Sequence, residues 1–245
     1  MRLAIRAFGL TAYAAFLGAF VYFIGFTAGL LPGKPPAPPV QALAIDLALV
    51  AFFGVAHSAM ARPRFKQAWT RVVPTAAERS VYVLVASAQL TLLCWQWRPL
   101  AGPPLWQATG WAALALQALQ SLGWATVLLS SFLLDHFEMF GLRQTFGRMG
   151  AGLPSLRMPL LYRLVRHPIY LGLLVALWSA AALDSGRLLL GALLTAYLLI
   201  GVRHEERDLL RTFGDEYRRY QERVPGLLPW PRPAVARVTG RAPSQ

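Results

Sequence analysis

Residues 166–209, RHPIYLGLLVALWSAAALDSGRLLLGALLTAYLLIGVRHEERDL, decide how the chain is read. Two apolar segments, residues 169–183 and 188–202, hold no Asp, Glu, Lys, Arg or His, and both are closely flanked by charges. At ~1.5 Å rise per residue each reaches about 22 Å, short of a ~30 Å hydrocarbon core. The expectation is a tight helical hairpin turned by Asp184, Ser185 and Gly186, with cytoplasmic ends that sit below the membrane surface.

Working outward, four longer apolar stretches precede it, at 7–31, 40–61, 80–97 and 106–134, the second carrying Asp46 and His57. The first is far longer than the ~7–15 residue core of a signal peptide and more spans follow, so it reads as a membrane helix. With 56% apolar and 14% charged residues, disorder and an ordinary soluble domain are both poor fits. A net charge of +13 suggests nucleic acid until the charges are sorted by segment. If six helices alternate, only Lys34, Arg98 and Arg187 fall on one side, and the other 21 of the 24 basic residues fall on the opposite one. That asymmetry puts both termini in the cytoplasm and leaves no nucleic-acid surface to explain. A re-entrant final hairpin gives the same count.

The expected fold is therefore all-α integral membrane, with five to six transmembrane helices, a C-terminal hairpin and an amphipathic cytoplasmic tail helix. Residues 1–136 would form the N-terminal helices, 137–230 a cofactor-binding region and 231–245 a mobile tail. A lone cysteine, Cys94, excludes an intrachain disulfide and a thiolate-rich metal site, and no metal is expected. Two lysines against 22 arginines point to a GC-rich bacterial genome.

All four histidines, His57, His136, His167 and His204, fall at or near expected helix ends on the cytoplasmic side. Two of them on facing helices would suit haem, although no spacing demands it. In YRLVRHPIYLG at 162–172, Pro168 fits a first helical turn, and that helix N-terminus would suit a carboxylate or phosphate. Downstream, Leu209, Phe213, Tyr217 and Tyr220 form one helical stripe, and Gly214 with Asp215 marks a break between helices. Glu205 and Glu206 at the mouth of a short span need cationic or hydrogen-bonding partners. Together these groups would hold a molecule bearing both a carboxylate and an ammonium or ribose, such as S-adenosylmethionine.

R-H-P-x-Y-x-G at 166–172, E-E-x-x-L at 205–209 and F-G-x-x-Y-x-x-Y-x-x-x-V-P at 213–225 resemble the integral-membrane methyltransferases, which include the isoprenylcysteine carboxyl methyltransferases and phospholipid N-methyltransferases. The resemblance implies S-adenosylmethionine held by His167, Pro168, Tyr170, Tyr162 and Glu205. Arg166, Ile169, Gly172 and Glu206 complete the candidate cofactor set. Upstream, AHSAMARPRFKQAWTRVVPTAAERSVYVLVAS, CWQWRPL and DHFEMFGLRQ are similar to the bacterial methanethiol S-methyltransferases, a group close to the NnrU-like proteins. Where the isoprenylcysteine enzymes carry an arginine for the substrate carboxylate, this chain has Gly201, which favours an acceptor without one.

What the resemblance implies is S-adenosylmethionine-dependent methylation of a small apolar thiol at the bilayer, with no obligate protein partner. A thiolate attacks better than a thiol, so a base or cation is expected near the acceptor. His136 as base, Arg143 as thiolate partner and His57 as second base are the candidates. The competing readings are methylation of isoprenylcysteine or a lipid headgroup, and a non-enzymatic NnrU-like membrane protein.

Overall fold

Among the described residues, four helices are long and apolar enough to cross a membrane: α1 (Arg2–Thr27), α2 (Pro39–Ala61), α5 (Gly110–Leu134) and α9 (Ser185–Phe213). The computed structural model describes residues 2–35, 37–147 and 155–230, so the expected tail at 231–245 lies outside the described residues. Between these helices lie α3 (Pro63–Trp69), α4 (Thr75–Gln96), the short α6 (His136–Met139) and α7 (Leu142–Thr145), a 3₁₀ turn at Leu160–Arg163, α8 (Pro168–Trp178) and α10 (Asp215–Arg223). Large apolar side chains point outward all round, among them Val21, Phe52, Val55, Trp111, Leu122 and Phe132. That exterior suits hydrocarbon rather than water, and the protein is a helical membrane protein.

Helix α1 lies along α4, α5 lies along α8, and α2 touches both α4 and α9. Phe23, Leu93, Trp97, Trp124, Leu190 and Leu194 fill the centre between them. The α5–α8 contact is close because each helix presents a glycine to the other. A Cβ on Gly123 would stand 2.6 Å from the Ala176 nitrogen, and one on Gly172 would stand 2.7 Å from the Gly123 carbonyl oxygen. Small residues at such a crossing let two backbones approach without side chains between them.

Several expected boundaries move. Helix α1 begins before residue 7 and stops at Thr27, whose hydroxyl donates back to the Phe23 and Ile24 carbonyls. Helix α4 begins at Thr75, just after Pro74, so Glu78 and Arg79 lie inside it rather than ahead of it. Trp106 and Gln107, expected in the fourth span, form a strand (β1) paired antiparallel with Ala182 and Leu183 (β2). That ribbon also ends α8 early. The helix has only 11 residues, about 16 Å, and residues 181 and 183 turn their carbonyls to the Ala108 and Leu105 N–H groups instead of continuing. The turn consequently occupies 179–184, with the Asp184 side chain accepting from the Arg187 N–H at the start of α9. Ser185 and Gly186, expected in the turn, belong to the helix. Helix α9 does not stop at Val202 but runs unbroken for 29 residues, about 43 Å, until Gly214 at φ 53° separates it from α10.

Candidate active site

His167 is the residue before Pro168, at φ −125° and ψ 64°, and it stands at the N-terminus of α8 with only 3% of its surface exposed. Proline in the first helical turn brings no N–H, so nothing is lost there. The backbone just ahead is paired with the far end of the tail: Arg166 N–H donates to the Pro225 carbonyl (2.9 Å) and His167 N–H to the Gly226 carbonyl (3.1 Å). The Val-Pro-Gly turn is thereby clasped to the site. The His167 N–H is thus already used by the tail.

Arg166 tightens the same clasp. Its guanidinium donates to Glu206 through Nε (2.8 Å) and an Nη, and through the other Nη to the carbonyls of Val224 (2.6 Å) and Gln221 (3.3 Å). Glu206 also lies 3.1 Å from His167 Nε2 and accepts from Gln221 Nε2 at 3.3 Å. Tyr220 donates to the Tyr162 carbonyl, and burial pushes its hydroxyl up to about 12, against the pull of the Arg166 charge, so it stays a donor. Burial and the nearby Glu205 charge push the Tyr162 hydroxyl up likewise, and it reaches the Ser130 carbonyl at 3.4 Å. These contacts fix the His-Pro segment with a set of charge-assisted hydrogen bonds.

Glu205 faces the other way. It accepts from the Tyr170 hydroxyl at 2.8 Å, its other oxygen lies 3.8 Å from His167 Nδ1, and its side chain is 44% exposed. Glu205, Tyr170, His167, Arg166, Ile169 and Tyr162 all line one cavity of about 500 Å³. The rest of its wall is mostly apolar, from Phe16, Ala19, Phe53, Val83, Ala86 and Leu90. A carboxylate and a buried histidine therefore close one part of an otherwise greasy chamber.

Of the three catalytic candidates only His57 lines this chamber. His136 does not. It is 2% exposed, stacks on Phe132 (4.1 Å), and both ring nitrogens are engaged, Nε2 with the Tyr13 hydroxyl and Nδ1 with the Ser131 hydroxyl, each at 2.8 Å. Burial pulls its proton affinity down, and its ring is not part of the chamber lining. Arg143 is also elsewhere, 45% exposed and ion-paired with Asp135 at 2.8 Å. Gly172 and Pro168 do not line the chamber: the first serves the helix crossing and the second is fully buried. Glu206 braces Arg166 and His167 from behind.

Two residues that sequence reasoning passed over do line it, Arg79 and Tyr82. The signal was present: Arg79, Tyr82, Val83, Ala86, Ser87 and Leu90 recur at helical spacing and all six face the chamber. Reading Arg79 as a loop charge ahead of the span concealed it.

A chamber with mainly apolar walls and a few polar groups at one end, inside a helical membrane protein, has the make-up of a small-molecule binding site. The chain belongs to the NnrU family, whose description, "NnrU protein", matches residues 46–237. It is 43% identical over 237 residues to "Methanethiol S-methyltransferase 2" of Bradyrhizobium diazoefficiens, covering 93% of this chain and 91% of that one. To "Methanethiol S-methyltransferase" of Mycobacterium tuberculosis it is 46% identical over 234 residues, 91% and 95% of the two chains. Human "Nurim" is 35% identical over 178 residues, 68% of each chain. No solved structure matches.

Proposed function

We propose that this chain is a methyltransferase that moves a methyl group from S-adenosylmethionine to methanethiol, giving dimethyl sulfide. The observation that carries the reading is the shape of the chamber's chemistry together with the names of relatives 43–46% identical over more than nine-tenths of both chains for the two enzymes above. The donor set fits S-adenosylmethionine: the Glu205 carboxylate suits an ammonium or ribose hydroxyls, and Tyr162 and Tyr170 offer aromatic faces to a sulfonium or a base. His167 and Ile169 line the same part. Bound there, S-adenosylmethionine supplies a methyl carbon on an electron-poor sulfur. The protein's own contribution is alignment and exclusion of water by the apolar walls.

Gly201 supports an acceptor without a carboxylate. A Cβ there would lie 3.8 Å from the Tyr170 hydroxyl, so the position faces the site, and it carries no cation. A small apolar thiol needs only walls and access from the bilayer.

The arrangement we propose has α1, α2, α4, α5 and α9 crossing and α8, extended by residues 179–184, making the sixth passage as the short arm of the final hairpin, so that both termini lie in the cytoplasm with α10 as the cytoplasmic tail helix. Residues 137–230 hold the donor and the N-terminal helices wall the acceptor. The asymmetry of the arginines supports this orientation in a bacterial cytoplasmic membrane. Headspace gas chromatography of the purified protein with methanethiol and S-adenosylmethionine tests the reading. Dimethyl sulfide is expected; its absence with this donor overturns the proposal.

A further inference from the structure

The chamber has two cationic side chains, and they differ in how they are spent. Arg166 is neutralised by Glu206 and its donors go to Glu206 and to carbonyls of the tail. Arg79 has no carboxylate within ion-pair distance among the described residues, even though Glu78 precedes it in the helix. Its Nε donates to the Met139 carbonyl at 2.9 Å, and its guanidinium carbon lies 5.4 Å from the centre of the Tyr82 ring. The Nη groups have no recorded acceptor among the described residues. Those donors are open to an anion at the edge of a chamber whose walls are mainly apolar.

Beside it stands an imidazole. The Tyr82 hydroxyl lies 2.8 Å from His57 Nε2, and the His57 ring stacks on Phe53 with centroids 5.2 Å apart. All of Arg79, Tyr82, His57 and Phe53 line the chamber. From α9, Tyr197 faces the same ring, centroids 6.5 Å apart, with its hydroxyl 3.2 Å from that of Ser58. From α8 and α9, His167 and the Tyr170–Glu205 pair face the chamber, the latter already hydrogen-bonded together.

We infer that Arg79, Tyr82 and His57 form the acceptor subsite, where Arg79 holds the acceptor sulfur as a thiolate and the Tyr82–His57 pair takes its proton. The step balances within the site: the thiol S–H bond breaks, its proton goes to the Tyr82 oxygen, and the proton Tyr82 carried passes to His57 Nε2. The electron pair left on sulfur becomes the nucleophile, and His57 later returns its proton to solvent. This gives Arg79 the part that the sequence assigned to Arg143. The inference rests on the thiol methyltransferase reading above.

The test is Arg79→Gln, with Arg79→Lys and Tyr82→Phe beside it, in detergent. Binding of S-adenosylmethionine by calorimetry is expected within about twofold of wild type in all three. In Arg79→Gln, kcat/KM for methanethiol falls at least tenfold at neutral pH, and the deficit narrows as pH rises toward the thiol's own ionisation. Arg79→Lys recovers part of it. Methanethiol added to donor-free wild type gives the ultraviolet absorbance difference of a thiolate at neutral pH, and Arg79→Gln does not. Tyr82→Phe, which leaves the Arg79 bonds in place, also loses that signal at neutral pH and guards against misfolding of the arginine variants. Two results overturn the inference: loss of donor affinity matching the loss of turnover, which assigns Arg79 to the donor, or a deficit independent of pH with the thiolate signal intact. Wild type that makes no dimethyl sulfide overturns the function itself, which is a separate outcome.

Discussion

Glu205 and Glu206 are neighbours in the chain with opposite surroundings. Glu206 is locked to Arg166, His167 and Gln221, while Glu205, among the described residues, accepts a hydrogen bond from Tyr170 alone and turns toward the chamber. Two adjacent positions on one helix are separated by about 100°, which is why one carboxylate is structural and the other is available.

Glu205→Gln is therefore expected to weaken S-adenosylmethionine binding at least tenfold, about 1.4 kcal/mol, with stability changed by about 0.5 kcal/mol or less. Glu206→Gln should do the reverse first: a stability loss of about 2 kcal/mol, below the ~3–5 of a fully buried pair because its side chain is 21% exposed. Calorimetric binding and thermal unfolding in the same detergent separate the two.

The α5–α8 crossing should tolerate no side chain on its glycines. Gly172→Ala and Gly123→Ala each force a methyl against backbone atoms less than 3 Å away, at a cost of about 1–3 kcal/mol. Lowered melting temperature in both, with the chamber's donor affinity falling only through partial unfolding, is the expected result.

His136 should be dispensable for turnover. His136→Gln is expected to keep kcat while changing how stability responds to acid. Because burial depresses the folded-state value below 6.5, the neutral ring's contribution is complete above that pH and is lost as pH falls below it. Melting curves from pH 7.5 down to 5 should show a shallower decline in the variant than in wild type.

Gly201→Arg should place a guanidinium beside the Tyr170 hydroxyl and pair it with Glu205, raising the KM for S-adenosylmethionine about tenfold or more. Gly201→Ala, whose methyl lies at 3.8 Å, an ordinary contact, should stay close to wild type in headspace assays.

The sequence made the helical membrane architecture legible through its uninterrupted apolar runs, and the His-Pro-x-Tyr and Glu-Glu segments do meet, as His167, Tyr170 and Glu205. It misread the end of α8 because Ser179 to Leu183 is as apolar as the helix before it. Only the pairing with Trp106 and Gln107, distant in sequence, diverts those carbonyls. It could not place His136 and Arg143 relative to the chamber for a related reason: a helix-end histidine looks the same in sequence whether it opens on a chamber or hydrogen-bonds to Tyr13 and Ser131. The role of Arg166 was invisible because its acceptors lie 40 to 58 residues away, on α9 and the tail.

Helix α8 covers about half of a ~30 Å hydrocarbon layer, whereas α9 exceeds it. Lipid beside α8 must thin or leave that arm short of the surface, at a cost of fractions of a kcal/mol per Å of mismatch. Acyl-chain length then becomes a variable for the activity proposed above: thick bilayers should bury the polar end of the chamber and thin ones lift it toward the aqueous phase, while α9 is long enough to span either.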